Sequence, residues 1–259
     1  MNSFAVSLVF WAFTMVNGSG KARVFLLAGQ SNMSGAGRYD QLKNTEQHPP
    51  EGVKIWHENQ WQMLTPGVSA NEGRFGPEFA FGRAMKQAYP EDEIYLIKTA
   101  AGGTSMHKHW TIENGGGPLL RRFLVRVEAA LKGLDNKKVE YGIDGMLWMQ
   151  GESDASQGKG AEYKKSLRAF IKGMREKFKQ EEMPFIMGRI LPTFDKPEGN
   201  GPLVRAAQEA LAKELKNVAC FDTDKFERIN KGHYNHNGQI ELGKAFARHL
   251  VEIVADSQR

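Results

Sequence analysis

Apolar residues recur along the chain in two rhythms. Five short runs, at 24–28, 93–98, 145–149, 185–190 and 218–222, are apolar almost throughout, the pattern of strands buried on both faces. Between them the spacing changes to threes and fours. Leu119, Leu120, Phe123, Val127, Ala130 and Leu131 share one helical face, and Tyr163, Leu167, Ile171, Met174 and Phe178 a second. Val204, Ala207, Leu211 and Leu215 form a third, and Ile240, Phe246, Leu250 and Val254 close the chain with a fourth. Strands that alternate with helices call for right-handed parallel crossovers. The pattern therefore predicts one α/β domain, a three-layer α/β/α sandwich around a mostly parallel five-stranded sheet. The stretch 38–76, with Pro49-Pro50 and Gly73, keeps neither rhythm apart from an apolar run at 53–56 that would add one strand. A segment that long without periodicity is expected to be a functional excursion that shapes a cleft.

The first twenty residues stand apart. They carry no charged side chain, and 4–16 is apolar except for Ser7 and Thr14. That run is shorter than the roughly 20 residues a bilayer span needs. It matches the core of an export signal, with Val16 and Gly18 on the cleavage side, although no Lys or Arg precedes it. We therefore expect a signal peptide over 1–20, one domain over 21–259, a secreted or periplasmic destination and no stable membrane insertion. The whole chain has 259 residues, 41% hydrophobic and 25% charged, which excludes a disordered, collagen-like or multi-span protein. Its net charge of +5 lies entirely in 21–259. There is no run of five like charges and no nucleic-acid motif, so no nucleic-acid partner is expected. Cys220, the single cysteine, can form no internal disulfide and excludes every multi-thiolate metal site.

In open parallel sheets ligands bind beyond the carboxyl ends of the strands. Three of the five predicted ends carry polar, glycine-bearing blocks: Gly29-Gln30-Ser31-Asn32-Met33, Ala101-Gly102-Gly103-Thr104-Ser105 and Gln150-Gly151-Glu152-Ser153-Asp154. A fourth block, 232–238, precedes the last helix. Ser31 follows a glycine at a strand-to-helix turn, where a serine is either a helix cap or an exposed nucleophile. A neutral serine needs a partner that exchanges protons near neutral pH, and histidine is the natural one. Of seven histidines, His233 lies just ahead of the final helix and His249 within it, while His107 and His109 follow the glycine pair toward the mouth of the expected cleft.

Taken in order, the four blocks resemble the SGNH-type hydrolases, and more narrowly the carbohydrate acetylesterase branch that includes acetylxylan esterases and sialate O-acetylesterases. GQSNM and WMQGESD (148–154) carry most of the likeness, which spans about 23–250; Phe75-Gly76-Pro77-Glu78-Phe79 also resembles a segment found there. The resemblance implies a flavodoxin-like fold and a serine esterase that removes O-acetyl groups from carbohydrates through an acetyl-enzyme. It implies Ser31 as nucleophile and His233 as base. It also implies an oxyanion hole made by the N–H of Ser31, an N–H of the Gly102-Gly103 turn and the side-chain amide of Gln150. Where the family places an aspartate three residues ahead of the base, this chain has Asn230. An asparagine oxygen can orient an imidazole but supplies no full charge. The resemblance therefore points to Glu152 as the carboxylate, with Asp154 behind it and Asn230 as a second orienting group. It implies no cofactor, no metal, and an acetylated carbohydrate as partner, acetylated xylan or a similar polysaccharide ahead of acetylated sialic acid. Two rivals use the same residues. His107, His109, His233, His236, Glu152 and Asp154 would be assembled into a metal site, or the chain would be a sugar-binding protein that has lost catalysis, with Trp56, Trp61 and Trp110 as platforms.

Overall fold

The computed structural model describes residues 20–43, 47–68, 70, 73–194 and 200–257. The expected signal peptide at 1–20 lies outside them except for Gly20. A seven-stranded sheet forms the middle layer, from β1 (Ala22–Gly29), β3 (Val53–His57), β4 (Gln60–Met63), β6 (Glu93–Ala100), β7 (Tyr141–Met149), β8 (Phe185–Gly188) and β9 (Val218–Phe221). Their order is β4-β3-β6-β1-β7-β8-β9, and every pairing is parallel except the β3–β4 edge hairpin. Two short strands, β2 (Gly37–Arg38) and β5 (Arg74–Phe75), pair antiparallel at the two ends of the irregular excursion.

The five expected strands are all present, and so is the strand expected at 53–56, as β3; the seventh, β4, was not foreseen and comes from the same stretch that lacks periodicity. β3 turns into β4 through Glu58 and Asn59, both at positive φ (48° and 61°), the geometry of a two-residue primed hairpin turn. Such turns usually announce themselves by an Asn-Gly or Asp-Gly pair, and Glu-Asn gives no such signal.

Helices cover both faces. On one side lie α2 (Pro77–Ala88) and the C-terminal α7 (His236–Ser257), packed against each other. The other side holds α3 (Pro118–Asp135), α5 (Gly160–Lys177) and α6 (Gly201–Glu214). Two one-turn helices, α1 (Ser31–Ser34) and α4 (Glu152–Ser156), follow β1 and β7 directly. Alternate side chains of β1 enter the two cores: Val24, Leu26 and Ala28 meet the α3 side, Phe25 and Leu27 the α2 side. Burial on both faces explains the continuous apolar run.

This connectivity positions the site. From β1 the chain runs outward to β3, returns to β6 beside β1, and then crosses to β7 on the other side. The direction of winding reverses at β1, and the crevice beyond its carboxyl end is where such sheets bind ligands. β1 and β7 come so close there that a Cβ on Gly29 would lie 2.1 Å from the carbonyl oxygen of Met149, so only glycine fits.

Candidate active site

Ser31 begins α1 immediately after this close approach and is partly exposed. Among the described residues neither its N–H nor its hydroxyl has a hydrogen-bond partner. The preceding residue, Gln30, is buried and anchors the turn: its Oε1 accepts from the N–H of Ser153 at 3.2 Å and from Nε2 of Gln150 at 3.3 Å. Across from Ser31 runs the loop after β6. A Cβ on Gly102 would stand 3.6 Å from Cβ of Ser31, in van der Waals contact, and the N–H groups of Gly102 and Gly103 make no backbone hydrogen bond. Gly103 adopts φ +71°, a conformation that favours glycine. The backbone N–H groups of Ser31, Gly102 and Gly103 are thus donors without acceptors among the described residues, and Gly102 packs against the Ser31 side chain.

Asn32 brings the distant end of the chain to this point. Fully buried, it donates from Nδ2 to the carbonyl of Gly232 at 3.0 Å, and its Oδ1 accepts from the N–H of Tyr234 at 3.3 Å. The residue next to Ser31 therefore clasps the two residues that flank His233. On the loop itself, Asn230 Oδ1 accepts from the N–H groups of Gly232 (2.9 Å) and His233 (3.0 Å) and lies 3.1 Å from His233 Nδ1. Two backbone donors fix that atom as the oxygen, and an oxygen of this kind only accepts. The proton consequently sits on Nδ1, and Nε2 keeps its lone pair, the tautomer of a general base.

The carboxylate expected beside His233 is elsewhere. Glu152 is buried behind Asn32, with Oε1 accepting from Asn32 Nδ2 at 2.9 Å and Oε2 without a partner. Burial pushes its pKa up, with the Asn32 hydrogen bond working in the opposite direction. The group on His233 Nδ1 is Asn230, and Glu152 meets the histidine loop only through Asn32.

Gln150, expected as an oxyanion donor, faces inward. It is completely buried, and Nε2 has three acceptors within reach, Asp154 Oδ2 (2.6 Å), the carbonyl of Thr104 (3.1 Å) and Gln30 Oε1 (3.3 Å), while Oε1 accepts from the Tyr163 hydroxyl at 3.2 Å. No hydrogen remains for a substrate. Asp154 in turn accepts from the N–H groups of Met106 (2.7 Å) and His107 (3.3 Å) and lies 3.1 Å from His107 Nδ1. Instead of capping the helix that follows it, Asp154 caps the turn Met106–Trp110. Gln150 and Asp154 together hold the glycine loop in place from behind.

The sequence reading assigned no role to Asn32 or to the Glu78–Lys98 pair. Lys98 Nζ lies 2.6 Å from Glu78 Oε2, with both side chains 3% exposed, and also donates to the carbonyl of Ser34 at 2.9 Å. That contact fixes the far end of α1. A signal for Asn32 was its place directly after Ser31 in an amide-rich block; Glu78 showed itself as a charge inside an otherwise apolar FGPEF segment. The proposed sugar platforms are core residues. Trp110 is fully buried edge-on against Trp148, Trp56 is 6% exposed, and Trp61 packs on Trp56 with its Nε1–H donated to the carbonyl of Ala130. Of the histidines and carboxylates of the metal reading, His107 and Asp154 meet as a pair, and among the described residues no three His, Cys, Asp or Glu side chains converge as metal ligands.

Residues 21–252 match the family described as "Carbohydrate esterase, sialic acid-specific acetylesterase". A curated Arabidopsis thaliana protein named "Probable carbohydrate esterase" is 27% identical over an alignment of 247 positions that covers 87% of this chain and 89% of that one. The X-ray structure of an Arabidopsis thaliana protein is similar with a TM-score of 0.73 and 25% identity, covering 89% of this chain and 98% of the other. NanS superimposes with a TM-score of 0.67 at 16% identity, over 94% of this chain and 99% of its own. A carbohydrate acetylesterase from Xanthomonas citri gives 0.66 at 16% identity, over 90% of this chain and 57% of its own. These last two likenesses concern the fold.

Proposed function

The chain belongs to the carbohydrate esterase family of sialic acid-specific acetylesterases, and from that membership we propose that it removes O-acetyl groups from saccharides by a serine mechanism. In this reading Ser31 Oγ attacks the acetyl carbonyl while His233 Nε2 takes its proton. The carbonyl oxygen becomes an oxyanion between the N–H groups of Ser31 and the Gly102-Gly103 turn. His233 then returns the proton to the departing sugar hydroxyl, leaving an acetyl-enzyme. Water, deprotonated by the same imidazole, attacks that ester and releases acetate. Asn230 keeps the imidazole in its basic tautomer, and Glu152 positions the histidine loop through Asn32. The observation that carries the proposal is the clasp of Asn32 on Gly232 and Tyr234, because it joins the serine turn to both neighbours of the histidine.

Acetate release from an acetylated saccharide tests it. Ser31→Ala and His233→Asn are each expected to lower kcat by about a thousandfold or more. Asn230→Asp is expected to raise kcat at neutral pH, since a carboxylate stabilises the imidazolium that an amide only orients. Full activity in Ser31→Ala would overturn the serine mechanism. One contact favours a second reading: His107 Nδ1 faces a true carboxylate, Asp154. If His107 were the base, His107→Asn would abolish turnover and His233→Asn would spare it. We also propose that 1–20 directs export and that the working enzyme begins close to Gly20.

A further inference from the structure

Beyond the carboxyl ends of β3 and β6, one strand over from Ser31, lies a cavity of about 260 Å³. Its wall includes Ser34, Gly35, His57, Thr99, Arg122 and Arg126. A cleft for a whole drug-sized ligand runs to about 300–1,000 Å³, so this one suits a substituent or a single ring. Ser34 ends the turn of helix that Ser31 begins, a rise of about 4.5 Å at 1.5 Å per residue. β6, which supplies Thr99, runs beside β1 at the usual spacing of about 4.8 Å. A sugar whose acetyl group sits at Ser31 thus reaches the cavity with a group on the same ring or on its neighbour.

The charge in this wall is unbalanced. Arg122 and Arg126 lie one turn apart on α3, and Arg122 makes no hydrogen bond or ion pair among the described residues. Arg126 is half-buried and donates only to main-chain carbonyls, of Lys98 at 3.1 Å and of Trp56 at 3.4 Å. Burial and the neighbouring Arg122 both push its pKa down. The other permanent cation of the wall is answered, Lys98 by Glu78, and His57 lies 3.7 Å from exposed Glu58. Two guanidinium groups held together without a carboxylate repel each other, and an anion between them relieves this. A second observation concerns a neutral atom. Thr99 is 5% exposed and its Oγ1 has no hydrogen-bond partner, a deficit that a ligand atom would make good.

We propose that this cavity is the anion subsite of the enzyme and receives the carboxylate of an acidic sugar in the acetylated saccharide. The planar forks of Arg122 and Arg126 match a carboxylate in pairs of hydrogen bonds, and Thr99 completes the set. The proposal rests on the acetylesterase reading and narrows its substrates to acid-bearing glycans ahead of neutral xylan. A hexuronic acid and a sialic acid both present this chemistry, and substrate choice separates them.

The test compares kcat/KM for an acetylated oligogalacturonide, O-acetylated sialic acid, an acetylated neutral xylo-oligosaccharide and 4-nitrophenyl acetate. Wild type is expected to prefer one of the acids, which identifies the source, and to lose that preference as salt is added. In Arg122→Gln the ratio of acidic to neutral kcat/KM is expected to fall about tenfold, mainly through KM, with Arg122→Lys in between. Arg122 is exposed, so this variant is expected to fold; Arg126→Gln is a second probe once its thermal unfolding has been checked. If wild type cleaves the neutral saccharide and shows no preference for either acid, or Arg122→Gln keeps the wild-type ratio, the subsite is refuted and the acetylesterase reading stands. If wild type releases acetate from none of the saccharides, that reading fails and the subsite with it.

Discussion

An amide beside His233 and a carboxyl group behind Asn32 respond differently to pH. Glu152 is buried with one oxygen unpartnered, and burial raises its pKa. The folded chain therefore holds this proton to higher pH than the unfolded chain. Its contribution to stability is complete below the unfolded value and is lost as pH rises through the folded one. Glu152→Gln keeps an acceptor for Asn32 Nδ2 and removes the ionisation. Urea midpoints of the variant should vary less than those of wild type as pH rises above the ordinary carboxylate range, and the variant should keep most of its turnover. Identical pH profiles would show that burial does not hold the Glu152 proton, and a collapse of turnover in Glu152→Gln would show that the carboxylate itself acts. This residue also shows where the sequence was legible. The placement of Ser31, Gly102 and His233 at the ends of strands or ahead of a helix could be read from the sequence. Gln150, Glu152 and Asp154 could not, because their order says nothing of direction: Gly151, at φ 144°, turns the chain so that all three side chains face inward.

At the level of elements, the serine turn is held by groups on its neighbours. Lys98 on β6 and Glu78 in the first turn of α2 form an ion pair out of contact with water, and Lys98 Nζ also holds the last carbonyl of α1. Removing one partner leaves the other charge buried, so Glu78→Ala should cost about 3–5 kcal/mol in denaturant unfolding. Replacing both, as Glu78→Leu with Lys98→Met, should recover much of that loss. Equal destabilisation in the single and double variants would mean that the pair is not the stabilising unit. α2 was the element least visible beforehand. Pro77, Glu78, Phe79, Ala80, Phe81 and Gly82 are all buried, so the first half of the helix has no polar face to set up a period. The four helices that were foreseen each keep a wet side.

For the whole molecule, the winding reversal at β1 explains why one strand end gathers the chemistry while the opposite edge serves stability. At that opposite edge Lys21 donates its N–H to Asp92 Oδ1 at 2.8 Å, and Arg23 bridges Asp92 and Asp144 at 2.5 Å each. No helix among the described residues is long and apolar enough to cross a membrane. If 1–20 is an export signal, protein secreted by an exporting host should have its N-terminus near residue 20, and a chain begun at Gly20 should keep wild-type kcat. Secreted protein that retains 1–20 intact would count against cleavage. The clasp made by Asn32 has a consequence in time. Its three partners lie 120, 200 and 202 residues further along the chain. On the proposed mechanism, a chain still emerging from the ribosome carries Ser31 long before His233, and it is expected to stay inert toward esters until the histidine loop and α7 have arrived and docked. Activity regained during refolding therefore reports the completed chain, trailing behind the sheet.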